Sequence, residues 1–226
     1  MYDLFFVSYE EPNADENWER LSSRFPHAKR IHGIKGIDNA HKACAARSFT
    51  KMFWTVDGDT VVDDGWEFDY QPTVWDQDYL HVWYSRNPVN GLSYGYGSIK
   101  LWPKGRVLQF QHPWLDFTGS VGGMKIMPET IAVTRFNTSP FETWKSAFRE
   151  CVKLVENLRI DPNDVESRSR LDAWMTRTSD VDFSEWCQIG AADGVSWHVE
   201  NEGDLSPIND FDWLKNRFHA MRTLIT

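Results

Sequence analysis

Apolar runs and amphipathic segments alternate through the first 56 residues. "DLFFVS" (3 to 8) is a nearly continuous apolar run of the kind that a sheet buries on both faces. "NADENWERLSSRF" then sets Trp18, Leu21 and Phe25 at helical spacing, with Asn13 and Glu16 in the Asn-x-x-Glu arrangement of a helix cap. "AKRIHGI" predicts a second short strand. "DNAHKACAARS" predicts a second helix, capped by Asp38, with Ala40, Cys44 and Ala45 on one face. "KMFWTV" (51 to 56) completes a strand, helix, strand, helix, strand series, which implies a parallel sheet covered by helices.

In such sheets ligands gather outside the carboxyl ends of the strands. Three strand ends therefore share one rim: Ser8 to Pro12, Gly33 to Asn39, and Asp57 to Asp59.

The second half changes character. "YLHVWYS", "SIKLWP", "RVLQF", "GMKIMP" and "TIAVTRF" are strand-like runs broken by Gly, Pro and Asn, which predicts a mixed sheet with a smaller antiparallel extension. "SPFETWKSAFRECVKLVENL" is the clearest helix. Ser139 and Glu142 form a capping box, Pro140 opens the first turn, and Phe141, Trp144, Phe148, Cys151 and Val155 make one apolar face. From 161 the chain reads as loop-rich, with a short helix around "SRSRLDAWMTR" and a closing helix in "DFDWLKNRFHAMRTLI".

Length and composition fit this pattern. With 226 residues, 41% of them apolar, the chain suits one α/β domain with elaborations. No window supplies the ~20 apolar residues of a membrane span, and "MYDLFFVSYEEPN" is no signal peptide, so a cytoplasmic location is expected. Three scattered cysteines, Cys44, Cys151 and Cys187, read as reduced and structural. Twelve tryptophans exceed core demand, and flat rings of that kind stack on sugars or bases. The net charge of -9 argues against a nucleic-acid partner until its distribution is considered. Residues 161 to 212 hold 13 Asp and Glu against three Arg, which leaves 21 basic and 20 acidic residues elsewhere, so a nucleic-acid face is compatible with the sequence.

Chemistry concentrates in "MFWTVDGDTVVDD". Asp57-Gly58-Asp59 is a D-x-D element, and Asp-Gly pairs are also common in solvated turns. Its place behind a buried-type strand, on the ligand rim, favours a cation site, and two hard carboxylates suit Mg²⁺ or Mn²⁺. A cation there could bind a diphosphate and offset the charge that builds on it as a bond breaks. Asp63 and Asp64 look like a following turn.

At this point "FFVSYEEPN", "GIKGIDNAHKACAARS", "MFWTVDGDTVV", "HVWYSRNPVNGLSYGYGSIKLWP" and "RFNTSPFETWKSAFRECVKL" together resemble the GT-A-type glycosyltransferases encoded by tailed bacteriophages. The resemblance implies a single GT-A-like domain over 1–226, with 1–70 as the nucleotide-binding half and 71–226 as the acceptor-side half, in which a nucleotide-diphosphate sugar donates to an acceptor hydroxyl. The donor expected is a UDP-sugar, UDP-arabinose included. Some members resemble enzymes, arabinosyltransferases among them, that glycosylate hydroxymethylcytosine in phage DNA, which implies the cytoplasm of an infected bacterium. A protein or glycan acceptor, or a non-catalytic carbohydrate-binding or virion-associated module, are the competing readings.

Roles follow from the resemblance. Asp57 and Asp59 would hold the metal, Asp59 more directly, joined by a late ligand, His198 or next Asp193. Tyr9 and Glu10 would face the nucleobase and ribose, whereas Glu11 reads as turn and cap. Lys35, Asp38, Asn39 and Lys42 occupy the second rim loop, where Asp38 either binds ribose or caps the helix. Asp57 and Gly58 line the donor, and Arg86 and Lys100 are candidate phosphate or donor-sugar contacts. For an inverting reaction Asp116, among the apolar residues of "HPWLDFTGS", is the candidate base. Glu150 reads as a solvated or paired residue and Glu142 as a cap.

Overall fold

The computed structural model describes residues 1–95, 98–111, 117–201 and 203–225. Its chain divides into two compact units, Met1–Asn87 with Ser93–Arg135, and Pro88–Leu92 with Phe136–Thr226.

In the first unit the expected alternation is present as β1 (Asp3–Ser8), α1 (Ala14–Arg24), β2 (Lys29–His32), α2 (Ile37–Arg47) and β3 (Met52–Asp57). β1 lies between β2 and β3, parallel to both. The unit continues through β4 (Thr60–Val62), β5 (Leu80–Arg86), β6 (Ser93–Tyr94), β7 (Ile99–Pro103), α3 (Lys104–Gln109), α4 (Phe117–Ser120) and β8 (Met124–Thr134). The strands form one sheet in the order β2-β1-β3-β7-β5-β8-β4, with β6 beside β5. β7 runs antiparallel to β3 and β5, β8 is parallel to β5, and β4 is antiparallel to β8. The fold class is therefore α/β with a mixed sheet, as the patterning predicted.

One consequence of this order bears directly on the D-x-D element. β4 lies four strand steps from β3, a distance of about 19 Å in a flat sheet. Yet Asp57 ends β3 and Thr60 begins β4, and three residues of chain reach at most about 11 Å. The sheet must curl until its β4 edge returns to the end of β3, and Asp57-Gly58-Asp59 is the link across that gap.

Buried aromatic residues fill both faces of the sheet. Trp54 and Trp83, with ring centroids 4.8 Å apart, pack among Phe6, Leu101 and Ala132. On the other face Phe5, Phe53 and Trp102 meet Cys44 and Ala45 of α2. Trp54, Trp83, Trp102, Trp144, Trp174 and Trp197 are all buried, so much of the tryptophan excess serves packing, while Trp75 is exposed.

Several local expectations are corrected. Asn13 occupies the α1 cap position but makes no capping bond; its amide donates instead to the Arg135 carbonyl, and Glu16 turns toward the Arg135 side chain. Gly36, with φ of 92°, caps α2, so Asp38 falls inside the first turn and pairs with Lys42. "RVLQF" belongs mostly to helix α3: five residues are too few for a period to separate strand from helix. "GMKIMP" and "TIAVTRF" contribute to the single strand β8, whose register slips at Pro128 and Glu129, leaving Met127 opposite Trp83 and Thr130 opposite Tyr84.

The second unit is helical: α5 (Pro140–Ile160), α6 (Val165–Thr176), α7 (Glu185–Glu200) and α8 (Phe211–Ile225), with a 3₁₀ turn at Ser206–Asn209. Ser139 caps α5 by accepting from the Glu142 N–H at 3.1 Å, while the Glu142 carboxylate pairs with Lys145, so half of the expected box forms. The segment after 161 is mostly α6 and α7, not loop. α7 packs against α5 so closely that a Cβ at Gly194 would lie 2.6 Å from the Phe148 carbonyl oxygen, and one at Gly190 would fall on that of Trp144. These glycines weaken the local helix signal and are what the packing requires. All three cysteines are buried free thiols.

Candidate functional site

The D-x-D link is fixed from three sides within the first unit. Asp57 donates its backbone N–H to Ser98 O at 2.9 Å, at the entrance to β7. Asn17 of α1, itself buried, donates its amide to Gly58 O at 2.9 Å. Arg135, just past β8, donates its N–H to Asp59 O at 2.7 Å. Three neighbouring elements thus hold the backbone that carries the two carboxylates.

Gly58 is a steric requirement. A Cβ there would stand 2.7 Å from Glu11 Oε2 and 2.9 Å from Ser8 Cβ. The Glu11 carboxylate is held in that place by the Tyr9 N–H, which donates to Oε2 at 2.7 Å. Glu11, read from sequence as a turn residue, thus joins the aspartates at the rim.

Charge compensation comes from below. Lys100, 2% exposed in β7, places Nζ 3.5 Å from Asp57 Oδ2. Burial lifts the Asp57 carboxyl, the Lys100 ammonium draws it back, and Glu11 adds to the rise, leaving it near a pKa of about 6. The carboxylate retains access to solvent, with 31% of its side chain exposed. Lys100 therefore reaches the rim through Asp57.

The remaining candidates occupy the same unit's strand ends. Glu10 is exposed beside Tyr9 after β1. At the start of α2, Asp38 faces Lys42 at 3.6 Å and Asn39 donates to Lys35 O at 3.1 Å. Arg86 ends β5, exposed, opposite Val133 of β8. Ser8, which opens the first rim segment, is joined by two residues unforeseen from sequence, His32, at 2.9 Å between Ser8 Oγ and His32 Nδ1, and Arg30, whose Nε donates to Ser8 Oγ at 3.1 Å. No motif flags them; only the parallel pairing of β1 with β2 brings them together. Arg135 escaped notice likewise, since only the antiparallel pairing of β4 with β8 brings it to Asp59.

Asp116 lies outside the described residues. His198 and Asp193 belong to α7 of the second unit. The His198 ring is buried and bonded through Nε2 to Glu156 Oε2 at 2.9 Å, and Glu156 also takes both nitrogens of an Arg159 fork. Asp193 is paired with Arg217, and Glu150 with Arg170.

Among the described residues no three His, Cys, Asp or Glu side chains gather as a metal cage. The two rim aspartates fit a different arrangement, in which one or two carboxylates hold Mg²⁺ or Mn²⁺ and substrate phosphates and water complete the shell. No helix among the described residues is long and apolar enough to cross a membrane.

No protein-family model and no curated protein matches this chain. Among solved structures, a glycosyltransferase involved in the glycosylation of the major capsid of PBCV-1 aligns over 58% of this chain and 94% of its own, at 11% identity and a TM-score of 0.38. A match of that depth is too shallow to assign chemistry.

Proposed function

We propose that the protein is a glycosyltransferase that moves a sugar from a nucleotide-diphosphate sugar, a UDP-sugar such as UDP-arabinose, to an acceptor hydroxyl. The observation that carries this reading is the rigid carboxylate rim. Asp57 and Asp59 flank a glycine that admits no side chain, at the end of a buried strand, with Lys100 beneath and Arg86 on the same rim. The resemblance of the quoted motifs to phage GT-A enzymes points the same way.

Asp59, with Asp57 beside it, would hold Mn²⁺ or Mg²⁺. With such an ion bound, charge building on the departing diphosphate is offset. In the transfer, the bond from the anomeric carbon to the diphosphate oxygen breaks and its electron pair leaves with the diphosphate. The acceptor oxygen bonds to that carbon and releases its proton to a base. Asp57 and Asp59 are held by backbone bonds before any ligand arrives, so little reorganisation is needed.

As acceptor we propose 5-hydroxymethylcytosine in phage DNA. A base reached in duplex DNA would have to be flipped out of the stack. The test is to incubate the protein with Mn²⁺ and a panel of nucleotide sugars, with and without hydroxymethylcytosine DNA, and weigh the released nucleosides. A sugar mass increment on the modified cytosine supports the reading. Donor hydrolysis without that increment moves the acceptor to a protein or glycan, and no turnover of any donor leaves only a binding module.

A further inference from the structure

Arg135 is the first residue past β8, and its backbone is pinned on both sides. Its N–H donates to Asp59 O at 2.7 Å, and its carbonyl accepts from Asn13 Nδ2 at 2.9 Å. The guanidinium is 52% exposed, and its approach to Glu16, 73% exposed, is a long 3.9 Å. An exposed pair of that length contributes little and yields readily to a better anion.

On the adjacent strand Arg86 lies opposite Val133, two residues before Arg135. Strand spacing, carried one residue past β8, sets the two Cα atoms about 8 Å apart at the rim, and the Arg135 side chain leans toward Glu16 of α1. Across β4, Val61 pairs with Val133, so Asp59 stands opposite Arg135 at the same rim. Among the described residues the Arg86 guanidinium makes no ion pair or side-chain hydrogen bond. Asp57 already has Lys100 as counter-ion. Among the described residues, the rim therefore carries two guanidinium groups that no carboxylate of the first unit holds firmly, in a chain of net charge -9.

We propose that Arg135 and Arg86 form a two-pronged clamp for the donor's diphosphate that acts without the divalent ion. This rests on the nucleotide-sugar reading and adds to it a donor-binding contribution that chelation does not remove. The planar guanidinium fork matches phosphate oxygens two at a time, and its charge does not depend on pH or on a bound metal.

The test uses the full chain and three probes, UDP, UMP and uridine, each titrated by calorimetry in Mn²⁺ and again in EDTA. The parent is expected to bind UDP in EDTA more tightly than uridine by at least tenfold. Arg135→Ala should remove that advantage while leaving uridine affinity unchanged, Arg135→Lys should restore part of it, and Arg86→Ala should behave like Arg135→Ala. The backbone bonds of residue 135 survive these substitutions, so the urea midpoint should hold. Equal affinities of parent and Arg135→Ala for UDP in EDTA overturn the clamp, as does an equal loss for UDP and uridine. If UDP binds the parent only with Mn²⁺, the clamp is wrong and the metal-held donor stands. If the parent binds none of UDP, UMP or uridine under either condition, the UDP-sugar reading falls, and the clamp with it.

Discussion

The carboxylate of Glu11 rests on Gly58: its Oε2 lies 2.7 Å from the place a Cβ would take, and it cannot swing away without releasing the Tyr9 N–H. Ser8 Cβ closes the other side at 2.9 Å. Gly58→Ala should therefore destabilise the first unit by about 1–3 kcal/mol, as overpacking does, and abolish donor turnover. Adding Glu11→Ala should recover only part of the stability, since Ser8 remains. Urea unfolding of the two single variants and the double variant measures the coupling, and full additivity would contradict the contact.

Lys100 neutralises Asp57 from a buried position. Lys100→Met leaves the carboxylate without that charge, at a cost of about 1–3 kcal/mol once its partial solvent access is allowed for. Changing both residues, Lys100→Met with Asp57→Asn, should be less destabilising than Lys100→Met alone, although activity stays lost. Chemical denaturation of the three proteins decides the point.

In the second unit, replacing a helix-interior glycine with alanine ordinarily gains up to about 1 kcal/mol. Gly194→Ala should do the reverse, because the methyl group meets the Phe148 carbonyl of α5. A melting temperature several degrees below the parent's is the expected result, and a rise would mean that α5 and α7 are further apart than described.

Acid sensitivity should trace in part to Asp3. Burial raises its carboxyl, but the Lys29 ammonium at 2.8 Å, the Phe49 N–H at 2.6 Å and the Ser48 hydroxyl outweigh it and hold the pKa at about 2. The folded value lies below the unfolded one, so the stabilisation is full above about pH 4 and is lost as pH falls toward 2. Its size is on the order of 2 kcal/mol. Asp3→Asn should lower stability at pH 7 and flatten the pH dependence between 4 and 2, read from unfolding midpoints across that range.

The first five elements were legible because apolar runs and helical spacing alternate with clear breaks between them, although neither predicted helix cap forms. α7 was not, since Gly190 and Gly194 serve a neighbouring helix and look like loop when read alone. Lys100 illustrates a different limit. From sequence it is a candidate phosphate or donor-sugar contact, and nothing near it in "SIKLWP" tells that its partner, Asp57, ends the adjacent strand β3. The D-x-D element was recognisable as a candidate, and the strand, helix, strand pattern already set Ser8 to Pro12 on its rim, but Arg135 becomes its neighbour only through the pairing of β4 with β8, which no local pattern encodes.

The two aspartates belong to the strap that joins β3 to the far edge of its own sheet. Both ends of a five-strand loop meet at this link, so the curl of the sheet anywhere around that loop bears on the spacing of the two carboxylates. The sheet closes on itself like a belt with its buckle at Gly58.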